Sequence, residues 1–174
     1  MKKHLMLIGF MGCGKTTVGN ALSALTGIVC RDSDQLIQEQ EGRTITEIFD
    51  QEGEAYFRDL ETAFLKKLSG EETMILSCGG GMAMRPENAR LMRECAEVIW
   101  LTASPAAILE RVKDDDSRPL LRGHKNEAYI AELMRAREAA YARACDRRVD
   151  TDGKTPQEIC GEILKGSALL SVRP

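Results

Sequence analysis

Short apolar runs alternate along this chain with longer segments in which apolar residues recur every three or four positions. The apolar runs lie at 5–10, 28–31, 74–78, 98–101 and, more weakly, 148–151. The helical patterns lie at 15–26, 34–41, 45–51, 54–69, 86–95, 105–112, 126–145 and 155–165. The first four runs lack polar alternation, which is typical of strands buried on both faces of a parallel sheet. Strands that alternate with helices in this way predict an α/β fold with right-handed crossovers.

The composition is that of one globular domain. The chain has 174 residues, of which 43% are hydrophobic and 29% are charged, values near the averages for globular proteins. Lys and Arg number 24 against 27 Asp and Glu, a net charge of -3, whereas a general nucleic-acid binder carries a basic excess. No apolar stretch approaches the roughly 20 residues of a membrane span. We therefore predict a single domain over 1–174 with neither nucleic acid nor a membrane as its partner.

The cysteines and histidines do not indicate a zinc centre. Six cysteines are scattered without any CxxC spacing, and the chain has only two histidines, so a zinc cluster is not expected. Scattered single cysteines in a chain of this size are typical of a reducing compartment. We therefore predict a cytoplasmic protein.

Residues 9–16 read GFMGCGKT and match the complete phosphate-loop pattern GxxxxGK[ST]. A predicted strand precedes this segment and a predicted helix follows it, as the pattern requires. Glycines let backbone N–H groups surround phosphate oxygens, and the helix presents its positive end to the same anion. Lys15 then supplies charge to the terminal phosphates, and Thr16 supplies a hydroxyl to Mg²⁺. The predicted nucleotide-binding residues of the loop are Gly12, Cys13, Gly14, Lys15, Thr16 and Thr17.

Two carboxylates, Asp32 and Asp34, follow the second predicted strand, whereas the strands at 74–78 and 98–101 end without one. The carboxyl ends of parallel strands meet at one edge of a sheet, where ligands bind. A spacing of two places both side chains on one side of an extended chain. One carboxylate can then serve a metal while the other reaches a substrate hydroxyl. The alternative is a helix N-cap, a role that suits Ser33 or Asp34.

The phosphate loop and the two aspartates are part of a wider pattern in which the sequence resembles the shikimate kinases. These are small phosphate-loop kinases of the nucleoside monophosphate kinase type. The resemblance runs from residue 5 to about 164 and is specific because its motifs occur in order. They are GFMGCGKTT at 9–17, DSD at 32–34, FRDLE at 57–61, GGG at 79–81, RPLL at 118–121, RxxxY at 137–141, and DT at 150–151 followed by Pro156.

The resemblance implies an activity and an architecture. The activity is ATP-dependent phosphorylation of the 3-hydroxyl of shikimate, in aromatic amino-acid biosynthesis, with Mg²⁺ as cofactor. The architecture is a three-layer α/β/α sandwich of the P-loop kinase type, in which the five-stranded parallel sheet has the order 2-3-1-4-5. A substrate-binding subregion covers about 33–61, a lid covers about 112–125, and the enzyme is a monomer.

Shikimate is a small anionic triol, so its site needs cations for a carboxylate and acceptors for hydroxyls. Arg58 can bind both oxygens of a carboxylate in one plane. Glu61 lies one turn later on the same helix face, where it can orient Arg58 or accept a hydroxyl, unless the two form an ordinary surface ion pair. The substrate-binding residues that the resemblance implies are Asp34, Arg58, Glu61, Gly79, Gly80, Gly81 and Arg137.

Periodicity separates two arginines of the long helix predicted at 126–145. Arg137 lies three or four positions from Leu133, Met134 and Tyr141, so it shares their inward face. Arg135 lies two positions away, roughly 200° around the helix, and is expected to point to solvent. An inward arginine on an apolar face needs an anion, and the resemblance selects the same residue. The glycines at 79–81 are expected to leave N–H groups free for a ligand, the alternative being a plain tight turn.

The resemblance also assigns the transfer chemistry. Asp34 orients the acceptor hydroxyl and takes its proton, Thr16 and Asp32 bind Mg²⁺, and Lys15 and Arg118 neutralise the charge that develops on the transferring phosphoryl group. Arg118 comes from the lid. Arg111 is expected beside adenine, the alternative being a solvated helix end.

Two features depart from the family pattern, and two rival functions stay open. Three carboxylates at 114–116 would weaken nucleotide affinity if they are not solvated, and Arg143 stands where the family commonly has an acid. Cys13 is either a reactive thiolate favoured by the helix end and Lys15, or an inert thiol tucked under the loop.

The rival functions to a shikimate kinase are another small-molecule kinase, such as a gluconate or nucleoside kinase, and a nucleotide-binding regulatory module.

Overall fold

The computed structural model describes residues 2–113, 126–167 and 169. Five parallel strands form one sheet in the order β2-β3-β1-β4-β5. The strands are β1 (His4–Ile8), β2 (Cys30–Asp32), β3 (Ile75–Ser77), β4 (Ala96–Thr102) and β5 (Arg147–Asp150). The sheet order that the family resemblance implied is therefore confirmed.

Eight helices connect or flank these strands within the described residues. They are α1 (Lys15–Thr26), α2 (Ser33–Glu41), α3 (Ile45–Glu52), α4 (Glu54–Leu68), α5 (Pro86–Cys95), α6 (Pro105–Val112), α7 (Glu127–Ala144) and α8 (Pro156–Gly166). Each boundary lies within one residue of its predicted position. Local signals explain this accuracy. A capping box in which Thr44 and Glu47 bond reciprocally starts α3, and the same arrangement of Thr155 and Glu158 starts α8. A short 3₁₀ turn at Met82–Met84 was not predicted.

Two apolar clusters show that the sheet is covered on both faces. In β1, Met6 and Ile8 belong to one cluster, whereas Leu5 and Leu7 belong to the other. Successive side chains of a strand point to opposite faces of its sheet, so the clusters lie on opposite sides. Helices α2 to α5 contribute to the first cluster, α1, α6 and α8 contribute to the second, and α7 contributes to both. This is the predicted three-layer α/β/α sandwich.

The parallel register brings three loops together at one edge of the sheet. Ser77 pairs with Leu7 on one side and with Asp32 on the other, so β1, β2 and β3 end at the same level. The phosphate loop, the Asp32–Asp34 segment and the glycines at 79–81 all begin there. The predicted substrate-binding subregion, 33–61, comprises α2, α3 and the first half of α4.

Some sequence predictions fall outside the described residues. The lid predicted at 112–125 is described only at 112–113, so Arg118 and the carboxylates at 114–116 are not part of the structural account. Within 2–113 and 126–167, no helix is both long enough and apolar enough to cross a membrane.

Candidate active site

A cleft of about 1080 Å³ opens at the carboxyl edge of the sheet. All the predicted site residues that the structure describes line it. They are Gly12, Cys13, Gly14, Lys15, Thr16, Thr17, Asp32, Asp34, Arg58, Glu61, Gly79, Gly80, Gly81, Arg111 and Arg137. Residues from five separate motifs and from α6 therefore meet in one cavity.

The phosphate loop joins β1 to α1 and leaves the start of that helix open. Gly14 caps α1 in the left-handed region, with φ of 98°, and no side chain caps the helix. Glycine adopts this φ at little steric cost. The first turn of α1 contains no acidic residue, so its backbone N–H groups and the positive end of its dipole are available to an anion in the cleft.

Lys15 is held by the loop that it belongs to. Its Nζ donates to the carbonyl oxygens of Gly9 at 2.8 Å and Phe10 at 3.1 Å. The N–H of Cys13 also donates to Phe10, at 3.2 Å. These bonds satisfy the lysine charge inside the loop, and we expect nucleotide phosphates to replace the carbonyls as its partners.

The Cys13 thiol is enclosed by this loop, since the residue is only 1% exposed. Its Sγ lies 3.8 Å from Lys15 Nζ. A Cβ added to Gly9 would meet the same sulfur, so the thiol points back beneath the loop. This geometry favours the inert thiol over the reactive one.

Oxygen donors suited to Mg²⁺ lie beside the loop. The Thr16 hydroxyl is 3.4 Å from the Ser77 hydroxyl. Asp32 lines the same cleft, and its Oδ1 accepts the N–H groups of Asp34 at 2.9 Å and Gln35 at 3.1 Å. Asp32 is therefore the N-cap of α2, a role that the sequence analysis gave to Ser33 or Asp34.

The donor set fits a magnesium ion that is shared with nucleotide phosphates. Among the described residues, no group of three or more His, Cys, Asp or Glu side chains could hold a metal by itself. Mg²⁺ in phosphate-transfer sites takes one or two protein oxygens and completes its shell with phosphates and waters. Thr16 and Asp32 provide oxygens of that kind.

Asp34 places an unpartnered carboxylate oxygen in the cleft. Its Oδ1 is buried without a hydrogen-bond partner in the described structure. Burial raises the pKa of Asp34, and the charge of Asp32 raises it further, against smaller opposing effects of Arg58, Lys15 and a hydrogen bond between the carboxylate and the Ser33 side chain. A Cβ on Gly79 would overlap this carboxylate. An acceptor with a raised pKa is suited to orient a hydroxyl and take its proton.

Arg58 and Glu61 form a partly buried ion pair on α4. Arg58 Nη1 donates to Glu61 Oε2 at 2.8 Å, and its Nη2 donates to Glu54 at 3.0 Å. The Glu61 side chain is 1% exposed, so the alternative of an ordinary surface pair is wrong. Burial raises the pKa of Glu61 despite the opposing charge of Arg58. Its Oε1 is also buried without a partner in the described structure, which leaves one oxygen for a ligand.

The glycine turn at 79–81 is packed tightly against the charged side chains. None of its three glycines has a positive φ, so their residue type reflects close approach and not unusual backbone angles. A Cβ on Gly81 would overlap the Arg58 guanidinium. The prediction of free N–H groups is wrong for Gly79, because its N–H donates to Ser33 Oγ at 2.8 Å.

Helix periodicity correctly separated the two arginines of α7. Arg137 is half-buried and lines the cleft, whereas Arg135 is exposed. Arg137 Nη1 donates to the Gly80 carbonyl at 3.4 Å, and its guanidinium lies 5.7 Å from the centre of the Phe10 ring. The long hydrogen bond leaves most of its five N–H donors for a ligand.

Arg111 bridges two loops at the other end of the cleft. Its Nη1 donates to the Gly12 carbonyl at 3.1 Å and to Thr151 Oγ1 at 3.2 Å, and its Nη2 reaches the Thr151 carbonyl at 3.4 Å. The alternative that Arg111 is simply solvated at the end of its helix is therefore wrong. It ties the phosphate loop to the segment after β5.

Several cleft residues escaped the sequence analysis because their type is that of a core residue. Phe49 and Phe57 pack against each other with ring centres 5.2 Å apart and ring planes tilted by 43°. Both line the cleft with Ile45. Lys154, a charged exception that forms an ion pair with Glu162, also lines the cleft. Phe57 opens the FRDLE motif, which was the one available signal, but apolar residues in amphipathic helices are more often buried in a core than placed in a site.

Comparison with known proteins gives one consistent result. The sequence model of the shikimate kinase family matches residues 11–167. A shikimate kinase of Persephonella marina is 44% identical over 162 residues, which cover 93% of this chain and 97% of the relative. The shikimate kinase from Acinetobacter baumannii in complex with shikimate has a TM-score of 0.84 at 32% identity, covering 95% of this chain and 92% of its own. That from Aquifex aeolicus has a TM-score of 0.78 at 38% identity, covering 93% and 94%. The chain belongs to the shikimate kinase family.

Proposed function

We propose that this protein transfers the γ-phosphoryl group of ATP to the 3-hydroxyl of shikimate. The observation that carries the proposal is the pairing, in one cleft, of a phosphate loop with two arginines and two unpartnered carboxylate oxygens. We call the loop 9–16 with Arg111 the phosphate half. We call Asp34, Arg58, Glu61, Arg137 and the glycines at 79–81 the substrate half.

The phosphate half is suited to ATP. Lys15 exchanges the carbonyls of its own loop for phosphate oxygens, and the open start of α1 binds the same anion. We expect Arg111, which donates to the Gly12 carbonyl, to contact the base. Thr16 and Asp32 would hold Mg²⁺, which when bound neutralises charge on the β- and γ-phosphates.

The substrate half is suited to a small acid with several hydroxyls. Arg58 and Arg137 provide two cations for its carboxylate. Glu61 Oε1 and Asp34 Oδ1 are acceptors for hydroxyl groups, and a hydroxyl bond would satisfy each buried oxygen. The aromatic pair of Phe49 and Phe57 covers an apolar ring face. Each chemical feature of shikimate thus has a matching group in the cleft.

The chemical step needs positioning and one proton acceptor. A bond forms between the 3-oxygen of shikimate and the γ-phosphorus, and the bond from that phosphorus to the bridging oxygen of ADP breaks. Asp34 takes the hydroxyl proton, and its raised pKa favours this role. Lys15 stabilises the charge on the transferring group. Arg118 is expected to stabilise the same charge. This expectation comes from the sequence motif alone, because Arg118 lies outside the described residues.

We further infer that the enzyme acts as a cytoplasmic monomer. One chain supplies both halves of the cleft, so a second copy is not needed to complete the site. Light scattering coupled to size-exclusion chromatography tests this inference.

The rival functions are separated by substrate dependence. A gluconate kinase would consume ATP with gluconate, and a regulatory module would show the same slow hydrolysis with any acid or none. We expect ATP consumption to depend strongly on shikimate, with a product whose phosphate is at the 3-position by phosphorus and proton NMR. Equal rates with gluconate, nucleosides or no acceptor would contradict the proposal.

A further inference from the structure

Tyr141 shares one backbone acceptor with a predicted substrate-binding arginine. Its hydroxyl donates to the Gly80 carbonyl at 2.8 Å, and Arg137 Nη1 reaches the same oxygen at 3.4 Å. Both side chains come from α7 and are four positions apart, so they lie on one helix face. The carbonyl therefore has a close neutral donor and a more distant charged one.

The surroundings of Tyr141 hold its hydroxyl in place. The residue is 2% exposed, and its ring centre lies 5.6 Å from that of Trp100. Burial raises the pKa of Tyr141 against the smaller opposing effects of the Arg137 charge and of a hydrogen bond with Arg137, so the phenol stays protonated and remains a donor at neutral pH. Arg143, also from α7, donates to the Met84 carbonyl at 3.3 Å just beyond the glycines. The glycine turn is thus fixed by α7 on one side.

The opposite side of the turn is fixed by α2. Ser33 is fully buried, and its hydroxyl accepts the Gly79 N–H at 2.8 Å. Ser33 is adjacent to Asp34, so the turn is held between the proposed base and the helix that carries Arg137. A small shift of the Gly80 peptide would therefore move groups that face the substrate.

We propose that Tyr141 is a positioning residue that sets substrate affinity by occupying the Gly80 carbonyl, so that Arg137 keeps its donors for the substrate carboxylate. The proposal rests on the proposed function. In the absence of the hydroxyl, Arg137 is the remaining side-chain donor to this partly buried oxygen in the described structure. The guanidinium would then close on the carbonyl to satisfy it, and the substrate carboxylate would have to break that stronger bond.

The test removes one oxygen atom and leaves the ring. In Tyr141→Phe we expect the KM and the calorimetric Kd for shikimate to rise about three- to tenfold, the range for losing one hydrogen bond. The KM for ATP is expected to stay within about twofold, since the hydroxyl is bonded to Gly80 of the substrate half and to no residue of the phosphate half in the described structure. Trp100 is the only tryptophan in the sequence, and an unchanged emission spectrum will show that the ring packing is retained.

Tyr56→Phe is the matched control. The Tyr56 hydroxyl donates to Glu41 at 3.3 Å, and neither residue lines the cleft or belongs to the substrate half. The same deletion there is expected to leave both KM values unchanged.

A double-mutant cycle tests the route through Arg137. If Tyr141 acts by freeing this arginine, Tyr141→Phe will add little to the shikimate KM once Arg137→Ala is present. Full additivity would overturn the proposal, as would wild-type affinity in Tyr141→Phe. Equal weakening of ATP and shikimate with a lower melting temperature would overturn it in favour of a purely structural role. A wild-type enzyme without shikimate-dependent turnover would instead refute the proposed function.

Discussion

The two halves of the cleft are built from different chemical groups. In the phosphate half, Lys15 is bonded to the backbone of its own loop and Arg111 bonds mainly to main-chain oxygens. In the substrate half, Arg58 pairs with the side chains of Glu54 and Glu61, and Arg137 makes one long bond to a main-chain oxygen. Asp34 and Glu61 retain buried oxygens without partners in the described structure. The phosphate half therefore depends on backbone shape, whereas the substrate half depends on particular charges.

This difference has an energetic meaning. Backbone groups that bond to one another lose little when no ligand is present. A buried carboxylate oxygen without a donor costs stability until a ligand hydroxyl satisfies it. The raised pKa values of Asp34 and Glu61, both caused first by burial, are the electrostatic sign of that cost. The substrate half thus contains buried acceptor oxygens that lack a donor, and the hydroxyl groups of shikimate would supply one.

The largest expected effect is at Asp34. Asp34→Asn keeps the shape of the side chain but removes its charge and its ability to take a proton. We expect kcat to fall by roughly a hundredfold or more, the usual scale for a general base. ATP affinity, measured by calorimetry, is expected to change little because the phosphate half is intact. Near-normal turnover would show that another group accepts the proton.

The arginines of the substrate half are expected to affect one substrate selectively. Arg58→Ala or Arg137→Ala removes a charge-assisted bond, so the KM for shikimate will rise about ten- to a hundredfold while that for ATP changes far less. The exposed Arg135 on the same helix as Arg137 is the control, and its alanine variant is expected to be nearly silent. Similar rises for ATP and shikimate would erase the distinction between the halves.

The glycine turn tests whether close approach is a requirement of the substrate half. A Cβ on Gly79 would overlap the Asp34 carboxylate, so Gly79→Ala will displace it and lower kcat/KM for shikimate about five- to a hundredfold, the equivalent of typical overpacking energies. Gly161→Ala is the control, because a Cβ there meets nothing within 4 Å in α8. The control is expected to keep full activity and to gain about 0.5–1 kcal/mol of stability.

The smallest expected effect is a gain in stability at the cost of activity. The folded pKa of Asp34 is raised from 3.8, so the folded state holds this proton more tightly than the unfolded state. The free energy of unfolding then falls as pH rises from about 3.8 through the raised value. Asp34→Asn lacks this titration, so at pH 7 its melting temperature is expected to exceed that of the wild type.

The pH dependence provides the check on that stability gain. The difference between Asp34→Asn and the wild type will shrink as pH falls toward 4, because the wild-type carboxyl becomes neutral as well. Thermal unfolding followed by circular dichroism at several pH values measures it. A difference that is constant with pH, or a destabilised variant at pH 7, would show that burial of the Asp34 charge is not costly.

The sequence by itself determined the elements, their order and most of the cleft. Apolar runs identified β1 to β5 and helical periodicity identified α1 to α8, because both patterns are local consequences of which face of an element is buried. The same periodicity distinguished Arg137 from Arg135. The predicted site residues, most of them taken from ordered motifs, all line one cleft wherever the structure describes them.

The tertiary structure decided which groups are already bonded and which remain available. The sequence could not show that Asp32 caps α2, that Ser33 takes up the Gly79 N–H, or that the Cys13 thiol is enclosed. Tyr141 and Gly80 meet across 61 positions of the chain. Such contacts depend on how helices pack on the sheet, and they follow no period along the sequence. Burial, which raises the pKa values of Asp34 and Glu61, likewise exists only once distant segments have closed over them.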